Sequence, residues 1–389
     1  MQWNPILLIL RWQVNTVRLL AAIIPANPGS RSGAGVGIQS VSGCRIKSGM
    51  TNYWNAESTR RYFLITIGLV TGLSLFGSWS CSRGGYSGKL ESITIGILHV
   101  EAAGLIYLTG DRKLFAANGL NATVKNYDTG VATIDALLKG EVNIAWAAEY
   151  PFVTKVLERE KISIIAVIDR FSYFYLLGRK DRGIKKTQDL KWKKIGVSKG
   201  TISEFYLGRF MALNGMAIKD LNVVNIAPSK FVGAFTSGSI DGIIAWRPFV
   251  NQIRNTSADK VVEWSVQSGQ AAYGVVIARN DWIGAHMELV NRFLKSIAQA
   301  EEYLIRQPAQ AKAIIQKWMN YDDASMVSAW AENQYSLCLD QSLVAAMEDE
   351  ARWMIKNNLT TETKVPDFMN YIYVDGLKAV KPEAVTIIR

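Results

Sequence analysis

From Leu90 onward, short β-branched runs alternate with amphipathic helical stretches that close on glycine, and this alternation leaves few folds open. Residues 93–98 read as a strand and residues 104–118 as a helix with Gly119 just past its end. Residues 120–127 form the next strand. Asp128-Thr129-Gly130 then opens a helix that runs to Lys139, Gly140 closes it, and residues 142–147 read as a buried strand. Successive βαβ units of this length predict a parallel sheet, to which residues 162–168 and 173–177 add two strands. After Asp181 the grammar restarts: strand 195–197, a helix, strand 223–226, helix 229–236, Gly238 and strand 242–246. The run 273–278 is a further strand placed to return the chain to the first lobe. Helices are expected over 287–306, 308–317, 324–338 and 342–357, with apolar positions such as Leu289, Phe293, Ile297, Ala300 and Leu304 at core spacing.

Within the second unit, Ile195 to Gly215 is the most informative stretch. A strand feeds the turn Lys199-Gly200, and Thr201 and Glu204 stand three apart, the spacing of a capping box. A strand that delivers a helix start leaves backbone N–H groups unpaired and adds the positive end of the helix dipole, which suits an anion or an oxygen-rich solute. A short internal repeat aligns residues 140–151 with residues 238–249, as expected of two α/β lobes of similar construction.

The net charge of +11 is unevenly placed, because residues 1–81 hold seven of the 44 Lys/Arg and one of the 33 Asp/Glu. The remainder is mildly basic with no dense cationic block, which argues against nucleic acid. Cys44 and Cys81 lie near the start and Cys338 in the body, so no disulfide framework is expected. Only His99 and His286 are present, without metal-ligand spacing, and neither a metal nor a cofactor is expected.

Residues 1–49 read as a disordered or upstream extension, with Met1 or Met50 as the start. Residues 50–81 have the charged, apolar and small-residue regions of an export signal. TRRYFL (residues 59–64) fits either a twin-arginine signal or ordinary positive charge for the general pathway. SWSC, ending at Cys81, is similar to a lipobox, and residues 82–91 form a flexible tether. Residues 92–179 are assigned to lobe 1, 180–268 to lobe 2, and 269–389 to the return to lobe 1 and the C-terminal helices.

Ligands of open parallel sheets bind beyond the carboxyl ends of the strands. That rule collects His99 and Glu101, Glu149 and Tyr150, Thr201 and Ser203, and Trp246 and Arg247. The repeat puts Glu149 and Arg247 in equivalent slots, so they are expected either to bracket a ligand or to pair with each other or with partners inside their own lobes. No nucleophile and base stand together, so an enzyme is not required.

The strings ITIGILHVEAAGLIYL, YDTGVATIDALLKGEVNIAWAAEYP, DLKWKKIGVSKGTISEFYL and GSIDGIIAWRPF occur in an order that resembles the solute-binding proteins of ABC importers for nitrate, sulfonates and taurine, which also include thiamine-pyrimidine-precursor binders. The resemblance implies the type II periplasmic-binding-protein fold: two α/β lobes joined by two crossover segments, here with extra C-terminal helices. It further implies a monomer, exported and anchored at Cys81 or by the signal segment, that captures a small solute and passes it to ABC permease and ATPase subunits. The site residues it implies are His99 to Glu101, Glu149, Tyr150, Thr201, Ser203 and Trp246. Arg247 departs from the acidic residue often found there. An aminosulfonate zwitterion fits paired Glu149 and Arg247 best, with nitrate, other sulfonates and pyrimidines as alternatives. A sensor, or an enzyme making pyrimidine precursors on the same fold, is the rival reading; the latter's cysteine-rich motif is absent.

Overall fold

A computed structural model describes residues 86–388. Cys81, the export signal and the first part of the tether lie outside the described residues.

Among the described residues, eleven strands build two sheets. Strands β1 (Glu91–Leu98), β2 (Leu120–Tyr127), β3 (Ile144–Ala148) and β4 (Ile162–Phe171) enter the first sheet. The chain then crosses to the second, made of β5 (Tyr175–Arg179), β6 (Lys194–Val197), β7 (Asn222–Asn225), β8 (Gly242–Ala245) and β9 (Val261–Ser265). It returns through β10 (Ala272–Arg279) and β11 (Asn333–Cys338). The strand orders are β11-β4-β10-β3-β1-β2 and β7-β6-β8-β5-β9.

Neither sheet is wholly parallel, contrary to the expectation from the βαβ units. The returning strand β10 inserts between β3 and β4 and runs antiparallel to both, and β5 runs antiparallel to β8 and β9. Strand β4, covered on both faces, is buried along nearly its whole length, which accounts for its unbroken apolar run.

The helices in chain order are α1 (Gly104–Asp111), α2 (Leu114–Ala117), α3 (Gly130–Leu138), α4 (Glu149–Leu157), α5 (Ile202–Leu213), α6 (Phe231–Ser237), α7 (Phe249–Ser257), α8 (Asn280–Ala285), α9 (Met287–Arg306), α10 (Pro308–Met319), α11 (Asp323–Ala331), α12 (Gln341–Lys356) and α13 (Asp375–Val380). The single helix expected over 104–118 is two, because Lys113 takes a left-handed φ of 56° between α1 and α2. The expected helix over 324–338 is corrected as well. It stops at Ala331, and Asn333–Cys338 instead pairs antiparallel with β4, so the exposed edge of a sheet overrides local helical spacing. Helix α9 buries Leu289, Val290, Phe293, Leu294, Ile297 and Ala300, the periodic face read from the sequence. It packs on α1 and α13.

Two short segments join the sheets, residues 172–174 and residues 266–271. Gln267, 1% exposed, ties them together. Its Oε1 accepts from the Phe174 N–H at 3.0 Å, and its Nε2 donates to the carbonyls of Phe171 and Gln270 at 2.9 and 3.2 Å. Nearby, α5 of the second unit leans on α12, where a Cβ on Gly208 would lie 2.3 Å from the Trp353 ring. Replacing Gln267 by Ala strands a buried N–H and a buried carbonyl. The expected cost is about 1–3 kcal/mol in urea unfolding; a loss below about 0.5 kcal/mol would show that the crossovers are held by other contacts.

Candidate functional site

Helices α3 and α5 both start at the carboxyl ends of strands and meet between the two sheets. Thr129, extended at φ −145° and ψ 157°, caps α3 by accepting from the Ala132 N–H at 3.1 Å. The start of α5 departs from the expected capping box. Glu204 reaches back to the Gly200 N–H at 2.9 Å, while the Thr201 hydroxyl donates to the Ser198 carbonyl at 2.7 Å and lies 2.6 Å from Ser203 Oγ. The first N–H groups of each helix, those of Gly130, Val131, Ile202 and Ser203, have no acceptor among the described residues. Such orphan donors at two helix starts make a positive, hydrogen-bonding concavity.

Between these helix starts lies a cavity bordered by Leu98, Thr129, Gly130, Thr201 and Ile202, and walled by Trp146, Phe171, Tyr173, Phe174 and Trp246. Its volume is about 30 Å³, room for a water or two. Phe171 and Tyr173 stack with centroids 4.6 Å apart, and Tyr173 and Phe174 at 5.4 Å. Trp246 stands edge-on to Phe231 at 5.2 Å and tilts toward Phe174 at 5.7 Å.

Beside the cavity lies a buried charge cluster that joins the two sheets. Arg247, fully buried, follows β8; its Nε donates to Glu101 Oε1 at 3.0 Å, and its Nη2 pairs with Glu332. Glu101, also fully buried, follows β1 and accepts from the Tyr321 hydroxyl at 2.9 Å, while its backbone carbonyl accepts from Tyr335 at 3.0 Å. Burial raises the Glu101 carboxyl above its ordinary range, and the adjacent guanidinium opposes that rise. Asp169, on β4, has neither carboxyl oxygen bonded; burial first, and the nearby Glu101 charge second, push its pKa well up.

The pairing weighed between Glu149 and Arg247 is therefore corrected. Arg247 belongs to Glu101 and Glu332. Glu149 instead accepts from the Tyr273 N–H at 2.9 Å and lies beside the Glu350 carboxyl on α12. Burial pushes Glu149 up to about 8, and burial with the neighbouring Glu149 raises Glu350 well above its usual range. Two buried carboxyls in one place keep at least one proton.

Of the residues expected at the site, Thr201 and Trp246 border the cavity and Ser203 supplies a free N–H beside it. Glu101 and Arg247 form the neighbouring ion pair. His99 is exposed, 3.1 Å from the Tyr107 hydroxyl, and does not border the cavity. Tyr150 packs against Phe205 and Trp353 inside. Thr129, Gly130, Trp146, Phe171, Tyr173 and Phe174 were missed, as were Leu98 and Ile202 at the cavity border. Thr129 and Gly130 were legible, since Asp128-Thr129-Gly130 reads as a helix start at a strand end, the same rule that selected Thr201.

A model of the NMT1/THI5 like family matches residues 102–311. A binding protein of Brucella abortus (strain 2308) is 27% identical over 243 residues, 60% of this chain and 73% of its own length. The taurine-binding periplasmic protein of Escherichia coli (strain K12) is 26% identical over 205 residues, 51% of this chain and 62% of its own length. The alkanesulfonate-binding protein SsuA from Xanthomonas axonopodis pv. citri, solved bound to MOPS, superposes with a TM-score of 0.65 at 16% identity, covering 74% of this chain and all of that one. The two-sheet architecture is thus the periplasmic-binding-protein fold.

Replacing Arg247 by Met leaves Glu101 buried without its cation, for an expected loss of about 3–5 kcal/mol in urea unfolding, partly restored by adding Glu101→Gln. Equal stability of the single variant and the wild type would contradict the buried pair. The Glu149 and Glu350 carboxyls hold a proton in the folded chain that the unfolded chain releases near the ordinary value of 4.5. Their contribution is therefore full below about pH 4.5 and is lost as pH rises toward about 8. The Glu350→Gln variant should show a flatter fall of stability across that window, and an unchanged slope would contradict the shared proton.

Proposed function

The chain belongs to the NMT1/THI5-like family, and from that premise we propose that it is an extracytoplasmic solute-binding protein that captures a small anion of the sulfonate class between two lobes and delivers it to an ABC permease and its ATPase. The observation that carries this reading is that two helix starts, one from each lobe and each with two unpartnered N–H groups, border one cavity at Gly130 and Ile202. A tetrahedral sulfonate presents several acceptor oxygens and one negative charge, which suits donors arriving from two directions without a cationic side chain. Because the donors sit on opposite lobes, a bridging anion favours the closed arrangement over the open one, and closure signals occupancy to the membrane partner.

The names of the taurine- and alkanesulfonate-binding relatives support the sulfonate class. Nitrate, with the same charge and the same three oxygens held in one plane, is the smaller alternative. The taurine relative is periplasmic, which favours export of this chain too. Anchoring through Cys81, with residues 82–91 as tether and the lobes as 92–179 plus 269–389 and 180–268, completes the reading. The fold alone does not separate capture from catalysis. Capture is favoured because the cavity is bordered by aromatic faces, threonines and free N–H donors, with no histidine, cysteine or ionisable carboxyl among its bordering residues.

The test removes one donor without removing the helix. Ile202 is the first residue of α5, where proline is tolerated because that N–H has no intrahelical partner, and Thr201 is already extended at φ −97° and ψ 163°. The control is Ile202→Ala, which loses the same side chain and keeps the N–H. Calorimetric titration with alkanesulfonates is expected to give about ten-fold weaker binding for Ile202→Pro than for Ile202→Ala, as one charge-assisted hydrogen bond is worth. Equal affinities would remove the helix-start reading.

A further inference from the structure

The walls of the interlobe cavity carry a preference that its donors do not. We propose that the cleft selects an arenesulfonate, a flat ring bearing one small anionic head, over taurine and short alkanesulfonates; this rests on the solute-capture reading above and names the solute's body.

Three observations lead there. First, five of the bordering residues are aromatic: Trp146, Phe171, Tyr173, Phe174 and Trp246. Phe171, Tyr173 and Phe174, from the end of β4 and the first crossover, already stack face to face, and Trp246 from the other lobe closes on Phe174. The cavity of about 30 Å³ admits a ring only when the lobes part, and the surfaces then offered to it are aromatic on both sides. A flat ring gains offset stacking against such faces, which an ethyl or propyl chain does not.

Second, no carboxylate borders the cavity to take an ammonium group. Glu101 is bound to Arg247 and Tyr321, and Glu149 is bound to the Tyr273 N–H. A primary ammonium closed into this cavity would lose its water and find few acceptors. Third, Arg247 is fully buried, paired with Glu101 and Glu332 and not among the residues bordering the cavity, and no other cationic side chain borders it, so a single charge is the natural limit.

The test is calorimetric titration of the full-length protein with benzenesulfonate, ethanesulfonate and taurine, followed by the same titrations on Trp246→Ala and Trp246→Phe. Benzenesulfonate is expected to bind at least ten-fold more tightly than either other solute. Trp246→Ala should weaken benzenesulfonate at least ten-fold while changing ethanesulfonate less than three-fold, and Trp246→Phe should restore most of the loss. Circular dichroism melting establishes that each variant is folded; if Trp246→Ala is not, Phe174→Leu takes its place with the same expectation. Taurine or ethanesulfonate binding as tightly as benzenesulfonate would overturn the ring preference and leave solute capture standing. No binding of any of the three would overturn both.

Discussion

A guanidinium with no access to water must find carboxylates, and Arg247 finds them on the opposite side of the molecule. It follows the last central strand of the second sheet, while Glu101 follows the first strand of the first sheet and Glu332 precedes its last. Removing either partner would leave a charge in a low-dielectric interior, so the pair ties the relative placement of the two lobes to a large electrostatic term. Tyr321 and Tyr335 complete the cluster by donating to Glu101, which commits the segment between α10 and β11 to the same joint. Together with Gln267 across the crossovers, the pair gives the interlobe region two polar fastenings on either side of an aromatic interior.

That commitment shapes the chemistry left for a solute. With Arg247 neutralised twice over, the positive character of the cleft comes from backbone N–H groups at the starts of α3 and α5. Backbone donors are fixed by the helices that carry them and hold no counter-ion, so they discriminate by geometry and by the number of acceptor oxygens. The buried acids around the cleft follow a consistent rule. Burial raises Glu101, Asp169, Glu149 and Glu350 alike above the ordinary carboxyl range, and only at Glu101 does a neighbouring guanidinium, that of Arg247, oppose the rise.

Much of the architecture was legible because it depends on local patterns. The restart of strand and helix after Asp181, the return of residues 273–278 to the first sheet, and Thr201 and Trp246 at strand ends all follow from periodicity and one rule about sheet edges. Partners distant in sequence were not legible. Glu101 and Arg247 are 146 residues apart, and nothing local to either names the other. The internal repeat suggested Glu149 for that role because it occupies the equivalent slot. The repeat could not reveal that β10 would run antiparallel beside β3 and bring the Tyr273 N–H to the Glu149 carboxyl. The same insertion made the sheet mixed, and the β4 edge it left was covered by β11, a segment whose spacing alone reads as helix. Contacts of long range decided each of these points, and a propensity reading carries only the local part of the energy.

The central claim is that a sulfonate is held at once by helix starts on both lobes. Its most direct test is a titration of the isotopically labelled protein with benzenesulfonate, following the backbone amide signals of Gly130, Val131, Ile202 and Ser203 by nuclear magnetic resonance. The account predicts that all four move downfield together and saturate at one solute concentration, since the same anion accepts from both pairs. Movement confined to Gly130 and Val131, or to Ile202 and Ser203, would contradict capture between the lobes.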